Sequence, residues 1–331
     1  MTASRPAVVL CLAVLGGLAA YPLFASEFGI DLTTKVLIYA ILALSLELLV
    51  GQTGLVCFGQ AAFFGIAAYA TVRFSPEYAA AAVWWLAPAA IGAAALFALL
   101  MGALSLRTRG VYFIMVTLAF SQMAYYVLHD TPIGGGTDGI YLNVTPSVPI
   151  GAKQAVDLDD PLHFYYVVLA AMVACFALLA VLLRSRFGRA LAGIRANEQR
   201  MRATGFSTYP YQLAAFVVSG AIAGVAGFLF AIKDGFVNPE LLSWHLSGAA
   251  LVMIILGGLG HLRGAVIGAF ALSLLEELFQ SRDLMGSFAD HWHLGLGASI
   301  IACVALLPRG LIELPRILRI LLVGSRRTGS P

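Results

Sequence analysis

The sequence predicts an all-α membrane protein, a polytopic bundle of about ten transmembrane helices. Of its 331 residues, 60% are hydrophobic and only 11% are charged, whereas a soluble domain carries roughly 25% charged residues. Long apolar runs follow one another along the chain, and many of the basic residues cluster in two segments. Because so few charges could not cover a surface in water, the excess apolar surface must face lipid.

Ten apolar runs are candidates to cross a bilayer as helices. Crossing ~30 Å of hydrocarbon takes about 20 residues, with a range of roughly 17–25, and backbone groups in lipid must bond within their own segment. The first run follows Arg5 and resembles a signal peptide, but a poor cleavage site before Ala25 favours a retained helix. Pro88 predicts a kink or a tilt in the fourth run. A segment that crosses only half of the membrane, near 51–60 or 256–264, remains an alternative. The predicted spans are 7–24, 34–50, 55–72, 79–104, 111–128, 163–183, 211–232, 242–260, 264–280 and 291–307.

The distribution of charge predicts that both chain termini lie in the cytoplasm. Residues 184–202 hold six arginines against one glutamate, and residues 309–331 hold five arginines against one glutamate. The loop 129–162 instead holds five aspartates against one lysine. Because basic segments stay inside, we expect an N-in, C-in protein with a cytoplasmic segment at 184–209 and a periplasmic loop at 129–162. The whole of 1–331 forms one transmembrane permease-like domain in this interpretation.

A break in the helices is expected between Gly51 and Gly65, where glycines and two glutamines interrupt apolar spans. Irregular backbone at membrane depth is tolerated only where it is buried in protein or lines a cavity. A carboxylate inside a span is costly and marks a functional site by default, although Glu47 could instead reach water at the cytoplasmic face. The candidate transport-path residues are therefore Glu47, Gln52, Gly59 and Gln60.

The segment 184–205 is the most polar internal part of the chain. A plain positive-inside loop explains its arginines but not its interleaved glycines, nor the short helix expected over 196–204 and ended by Gly205. A docking surface for a cytoplasmic partner explains both. The candidate coupling residues are Gly188, Arg189, Arg195, Asn197, Glu198 and Gly205.

Other patterns exclude functions or predict contacts between helices. The dipeptide Gly-Lys never occurs, so the chain has no P-loop for ATP. The four cysteines lack metal-ligand spacing, and a net charge of +3 gives no reason to expect nucleic acid. We expect no metal and no cofactor. The small-xxx-small patterns at 220–224 and 264–268 indicate close helix contacts, either fixed or sliding.

Four sequence regions together resemble one family, the LivM-type permeases of branched-chain amino acid ABC importers. The resemblance covers roughly 40–320, in the family's order. The regions are Gly51–Leu55 with Phe58–Tyr69, Leu106–Phe120 with Gly134–Ile140, Ser185–Leu191 with Ile194–Glu198 and Ala203–Gly205, and Gly220 through Gly257–Gly264 to Pro308–Leu311.

The resemblance implies a subunit of a bacterial inner-membrane importer that alternates between inward- and outward-facing states. It implies a LivH-like second permease, two cytoplasmic ATPase subunits and a periplasmic binding protein as partners, besides membrane lipid. Residues 184–205 match the position at which such permeases dock their ATPases. Glu47 stands where the family more often has Asn, so urea, short amides or aromatic acids remain alternative substrates.

Two other function classes would require features of their own. A secondary transporter driven by an ion gradient would use Glu47 as its proton site, and it would not need ATPase partners. An intramembrane enzyme would need paired acid–base residues or a metal cluster at membrane depth, and the sequence offers neither. The sequence therefore favours a transport subunit over a catalyst.

Overall fold

A computed structural model describes residues 15–150, 153–281, 285–307 and 309–313. Residues 15–20 are helical, and the remainder of the predicted first span before them, with the C-terminal tail beyond 313, lies outside the described residues. The helices that follow are α1 (Glu27–Glu47), α2 (Gln60–Phe74), α3 (Val83–Ser105), α4 (Val111–Asp130), α5 (Pro161–Arg184), α6 (Arg186–Ala196), α7 (Glu198–Ala203), α8 (Thr208–Asp234), α9 (Trp244–Gly257), α10 (Leu262–Gln280) and α11 (Trp292–Leu306).

The described helices make the protein a polytopic helical bundle, as the sequence predicted. Five helical segments are long and apolar enough to cross a membrane: α1 with its extension to Thr53, α3, α4, α5 and α8. A sixth is added if α9 and α10, bent by 114° at the break between them, form one span. By the same test α2 and α11 are short, at 15 residues each. The count of ten spans therefore remains a prediction.

The predicted break after α1 is present and lies at residues 54–59. A π-helical turn, Leu48–Thr53, continues α1 and ends at Gly54, whose φ of 76° is left-handed. Such a backbone favours glycine because a Cβ would be strained there. The helix resumes at Gln60, which is why α2 is shorter than the predicted span 55–72.

The second break, at residues 258–261, separates α9 from α10. Gly258 and Gly260 both have positive φ, at 116° and 87°, so glycine permits the sharp change of direction. The helices then approach closely beside it: a Cβ on Gly268 would overlap the Met253 carbonyl oxygen and lie 2.8 Å from the Gly257 nitrogen. This is the backbone contact that the pattern at 264–268 predicted.

The core forms around α1, which is surrounded by α5, α8, α9 and α10. Nearly every side chain from Val36 to Thr53 is buried. Beside it, α8 packs on α3 through small residues: a Cβ on Gly224 would lie 2.8 Å from the Ala94 Cβ, and one on Gly220 would overlap the Ala98 Cβ. Small side chains let the helix backbones come together where dispersion provides the attraction.

The loop 129–162 contains short strands, which the sequence did not predict. Strand β1 (Ile140–Tyr141) pairs antiparallel with β4 (Phe236–Val237), and β2 (Val148–Ile150) pairs with β3 (Lys153–Val156). The β1–β4 pair joins the loop to the connection between α8 and α9. Strands this short carry little sequence signal because their stability comes from the distant partner.

The basic segment forms two short helices, and the helix boundary predicted at 196 is wrong. The first, α6, begins after Ser185, whose hydroxyl accepts a hydrogen bond from the Phe187 N–H, and it ends at Ala196. Asn197 has an extended backbone and caps α7 by accepting from the Arg200 N–H at 2.9 Å. The N-cap preference of Asn therefore overrides helix continuation. Gly205, with φ of 81°, follows α7.

Candidate transport and coupling site

Gln60, a predicted path residue, lies completely buried at the start of α2. Its Nε2 donates to the Ser45 Oγ at 2.6 Å and to the Ser219 Oγ at 2.9 Å, and the Ser219 hydroxyl donates to the Ser45 carbonyl at 2.6 Å. These contacts form a hydrogen-bond knot (Gln60, Ser45 and Ser219) between α1, α2 and α8. Gln60 therefore joins three helices and lines neither of the two cavities described below.

Gly59 lies beside this knot, against the Met101 side chain of α3. A Cβ at Gly59 would overlap the Met101 Cε and lie 3.4 Å from the Cys57 Sγ. The non-helical backbone around it is bonded by distant hydroxyls. The Phe58 N–H donates to the Thr117 Oγ1 at 3.2 Å, and the Ala61 N–H donates to the Ser247 Oγ at 2.9 Å. The break is thus satisfied by protein, as irregular backbone at membrane depth requires.

The other two path residues, Glu47 and Gln52, lie together at the end of α1. Glu47 is completely buried, and its carboxylate rests against Gly51 so closely that a Cβ there would overlap it. Gln52 Nε2 donates to the Gly260 carbonyl at 3.2 Å, which ties this end of α1 to the second break.

The Glu47 carboxylate has electrostatic partners but no hydrogen bond of ordinary geometry among the described residues. Gln52, the Arg195 guanidinium and the backbone amides of Gly260 and His261 lie within interaction range. None of these groups meets the distance and angle of an ordinary hydrogen bond to the carboxylate, and such bonds weaken steeply outside that geometry. Glu47 is therefore surrounded by polar groups from three segments, without a close ion pair among the described residues.

Arg195, a predicted coupling residue, reaches this cluster from α6. Its Nη1 donates to the Gly51 carbonyl, 144 residues earlier in the chain. The structure thus brings Glu47 and Gln52 together with Arg195, whereas it places Gly59 and Gln60 elsewhere in the core. We call Glu47, Gly51, Gln52, Arg195 and Gly260 the junction cluster.

Glu198 is the centre of a second polar cluster at the start of α7. Its Oε1 lies 2.6 Å from Arg202 and 3.7 Å from Arg109, and it accepts from the Thr208 hydroxyl at 3.1 Å. These contacts link α7 to α8 and to the connection between α3 and α4. Arg109 lies in the family-like region Leu106–Phe120, but neither its local pattern nor that of Thr208 indicates a contact with Glu198.

The remaining coupling residues shape the short helices. Gly188 is buried where a Cβ would lie 2.5 Å from the Leu183 carbonyl carbon, which holds α6 close to the end of α5. Asn197 caps α7. Gly205 ends it, and no described heavy atom lies within 4 Å of the position that a Cβ on Gly205 would take. Arg189 is exposed. An exposed arginine beside two fixed short helices suits contact with another chain.

Two cavities frame these elements. The inner cavity, about 290 Å³, lies between α6–α7, the turn at 53–55 and the connection between α3 and α4; its polar lining includes Thr53, Thr108, Arg109, Arg195, Glu198 and Gln212. The outer cavity, about 730 Å³, lies between α4 and α9 and is lined by Gln122, Tyr125, Tyr126, Asp234, Glu240 and Trp244 among others. Both are open to the surface of the chain.

The sequence reasoning missed Ser45, Ser219, Thr117 and Ser247. Each is a hydroxyl residue inside an apolar helix, and all four are buried. Hydroxyls in such helices commonly bond across to neighbouring helices, so their position was a usable signal. Their partners were not predictable, because the hydrogen bonds from Gln60 and Ala61 span up to 186 residues.

The apolar helices, their glycine breaks and the pair of basic surface helices together form a polytopic integral-membrane protein. Residues 29–303 match the family described as "Branched-chain amino acid transport system / permease component", and the chain belongs to this family. It is a LivM-type permease component of an ABC importer.

Individual relatives agree with this assignment. The high-affinity branched-chain amino acid transport system permease proteins LivM of Salmonella typhimurium and Escherichia coli are each 32% identical over 319 residues, which covers 90% of this chain and 73% of theirs. The permease protein LivH of Escherichia coli is 28% identical over 149 residues, or 45% of this chain and 47% of its own.

Proposed function

We propose that this chain carries branched-chain or related amino acids across the bacterial inner membrane. This proposal is supported by the match to two LivM permeases over 90% of the chain. Its partners are a LivH-like permease, two cytoplasmic ATPase subunits and a periplasmic binding protein. The ATPases supply the energy, because a transported ligand can shift a conformational equilibrium only by its differential affinity for the two states.

Reconstitution of the assembly in vesicles tests this function. The chain is co-expressed with its genomic neighbours and supplied with labelled leucine, urea, acetamide or benzoate. ATP-dependent uptake of leucine, absent when the ATPase subunits are omitted, is the expected result. Uptake of urea, acetamide or benzoate alone would move the chain to another substrate class. Leucine uptake driven by a proton gradient without ATPases would establish the secondary transporter instead.

The proposed membrane arrangement is ten spans with both termini in the cytoplasm. In it, the single transmembrane domain has a periplasmic loop at 129–162 and a cytoplasmic coupling segment at 184–209. The 114° bend between α9 and α10 favours two separate spans here, because the chain turns back sharply at the break. The arginine-rich α6 and α7 then lie inside, in keeping with the positive-inside rule.

Cysteine labelling tests the arrangement. In a chain whose four native cysteines are replaced by alanine, Arg200→Cys and Asp138→Cys introduce thiols at two exposed positions. An impermeant maleimide applied to intact spheroplasts should label position 138 and leave position 200 unlabelled until the membrane is opened. Labelling of 200 but not 138 on intact spheroplasts would reverse the orientation.

The proposed transport path borders the segment Gly51–Gly65, with Glu47, Gln52, Gly59 and Gln60 as its key residues. Support comes from the inner cavity, which Thr53, Gly54 and Leu55 line directly. Gly59 and Gln60 do not line the cavity. They act indirectly, because they fix the break against α1, α3 and α8. Glu47 does not present its carboxylate to an amino acid, since it is enclosed in the junction cluster.

The proposed docking site for the ATPases is the segment 184–209. Gly188, Asn197 and Gly205 set the course of its two helices, and Glu198 fixes α7 to α8 and to Arg109. Arg189 is exposed on α6, where an acidic surface of a partner can meet it. Arg195 differs from Arg189, because its guanidinium donates to the Gly51 carbonyl at the end of α1.

A further inference from the structure

Arg195 stands in the last turn of α6, and its guanidinium points into the protein. The helix presents Leu191 and Ile194 to the bundle, where both are buried. From the same end, Arg195 Nη1 donates to the Gly51 carbonyl. This donor is therefore committed to the membrane helices instead of a surface partner.

The carbonyl of Gly51 belongs to the π-helical turn that ends at Gly54. Carbonyl groups in the last turn of a helix have no partner within the helix, and a basic side chain there is favoured by the hydrogen bond and by the helix dipole. Arg195 thus caps the end of α1. The cap comes from a separate element, so its position depends on where α6 lies.

The second break meets the first at the same point. Gln52 donates to the Gly260 carbonyl, and a Cβ on Gly260 would lie 3.6 Å from Arg195 Nη1 and 4.0 Å from the Gly51 oxygen. Three segments therefore converge within a few ångströms: the end of α1, the break between α9 and α10, and α6. Arg195 also lies within electrostatic range of the buried Glu47 carboxyl.

We propose that Arg195 is the positioning residue through which movement of α6 and α7 is passed to both helix breaks. This rests on the proposed function, since the movement is imposed by the ATPases. The inner cavity adjoins Arg195 and Glu198, and it gives the guanidinium room to leave Gly51 when α6 shifts. The Gly51 carbonyl then loses its donor, so the end of α1 rearranges with the second break.

The burial of the two charges predicts an asymmetry between their substitutions. Glu47 is fully buried, whereas Arg195 is exposed. Arg195→Gln therefore leaves the buried Gly51 carbonyl without its donor and removes the arginine from the surroundings of the buried Glu47 carboxyl, which is costly. Glu47→Gln removes the buried carboxylate itself and leaves an arginine that water can still solvate, so this substitution should destabilise the protein less than Arg195→Gln does.

The test uses the reconstituted assembly with labelled leucine, and it compares Arg195→Gln and Arg195→Lys with Arg73→Gln. Arg73 is an exposed arginine at the far end of α2 and serves as the control. For Arg195→Gln, we expect normal recovery of the ATPase subunits and continued ATP hydrolysis. Leucine carried per ATP should fall about tenfold, as for the loss of one charge-assisted hydrogen bond. Lysine keeps the charge but not the planar fork, so its loss should be about two- to threefold.

Each other outcome has a defined meaning. Unchanged leucine per ATP in Arg195→Gln overturns the inference, and so does loss of the ATPase subunits, which would make Arg195 a docking residue. If Arg195→Gln does not accumulate, the double variant Glu47→Gln/Arg195→Gln decides. If the double variant accumulates in the membrane and carries little leucine per ATP, the inference is supported. If the double variant also fails to accumulate, Arg195 is a purely structural residue and the inference is overturned. Failure of the parent assembly to use ATP would instead refute the proposed function.

Discussion

Gly268→Leu should prevent the chain from accumulating in the membrane. A Cβ at this position overlaps the Met253 carbonyl oxygen and lies 2.8 Å from the Gly257 nitrogen, so the substituted side chain meets backbone on α9. Overpacking usually costs about 1–3 kcal/mol where side chains can adjust. Here a backbone cannot move aside without separating α9 from α10, and we expect a greater loss.

The control is Gly248→Leu in the same helix pair. No heavy atom of the described residues lies within 4 Å of a Cβ at Gly248, so the added leucine should be tolerated. Quantitative immunoblotting of membranes, together with the melting temperature of the detergent-purified protein, measures both. Equal levels and melting temperatures for the two variants would show that the α9–α10 contact is not as tight as the structure has it.

Gln60→Leu should reduce transport about tenfold, because it removes two hydrogen bonds at membrane depth worth about 1–2 kcal/mol together. The bonds to Ser45 and Ser219 hold α1 and α8 against the start of α2. The measurement is initial leucine uptake by the reconstituted assembly, normalised to the amount of protein. Gly59→Leu should act more strongly, since its side chain would displace Met101.

A double-mutant cycle separates the knot from a direct role of Gln60 in the path. If Gln60 acts through the serines, Ser219→Ala should lower uptake as well, and the two changes together should cost less than their sum. If Gln60 instead contacts the solute, the effects should add. Normal uptake in both Gln60→Leu and Gly59→Leu would remove this segment from the transport mechanism.

The sequence predicted the features that depend on local composition. Glycines and amides at 51–65 indicated the first break, and the small-residue spacing at 264–268 indicated a close helix contact; both are present. The basic segment was located correctly, but its helix boundary was not, because the capping strength of Asn197 competes with helix propensity over only a few residues.

The features that the sequence did not predict depend on distant partners. The apolar composition of α1 indicates a helix in the membrane, but it does not show that Ser45 meets Gln60 or that Gly51 meets Arg195. Glu47 illustrates the difference. Its place inside an apolar span made it a candidate transport-path residue, and the folded chain encloses it between two breaks and an arginine. Such groupings follow from tertiary structure alone.

The enclosure of α1 has a consequence for how the surrounding bilayer acts on the protein. From Val36 to Thr53, nearly all of its side chains touch only other parts of the same chain. Lipid acyl chains therefore contact little of this stretch directly. Changes in bilayer thickness or lateral pressure act on it mainly through the helices that surround it. The surrounding helices separate α1, and the polar cap at its end, from the lipid.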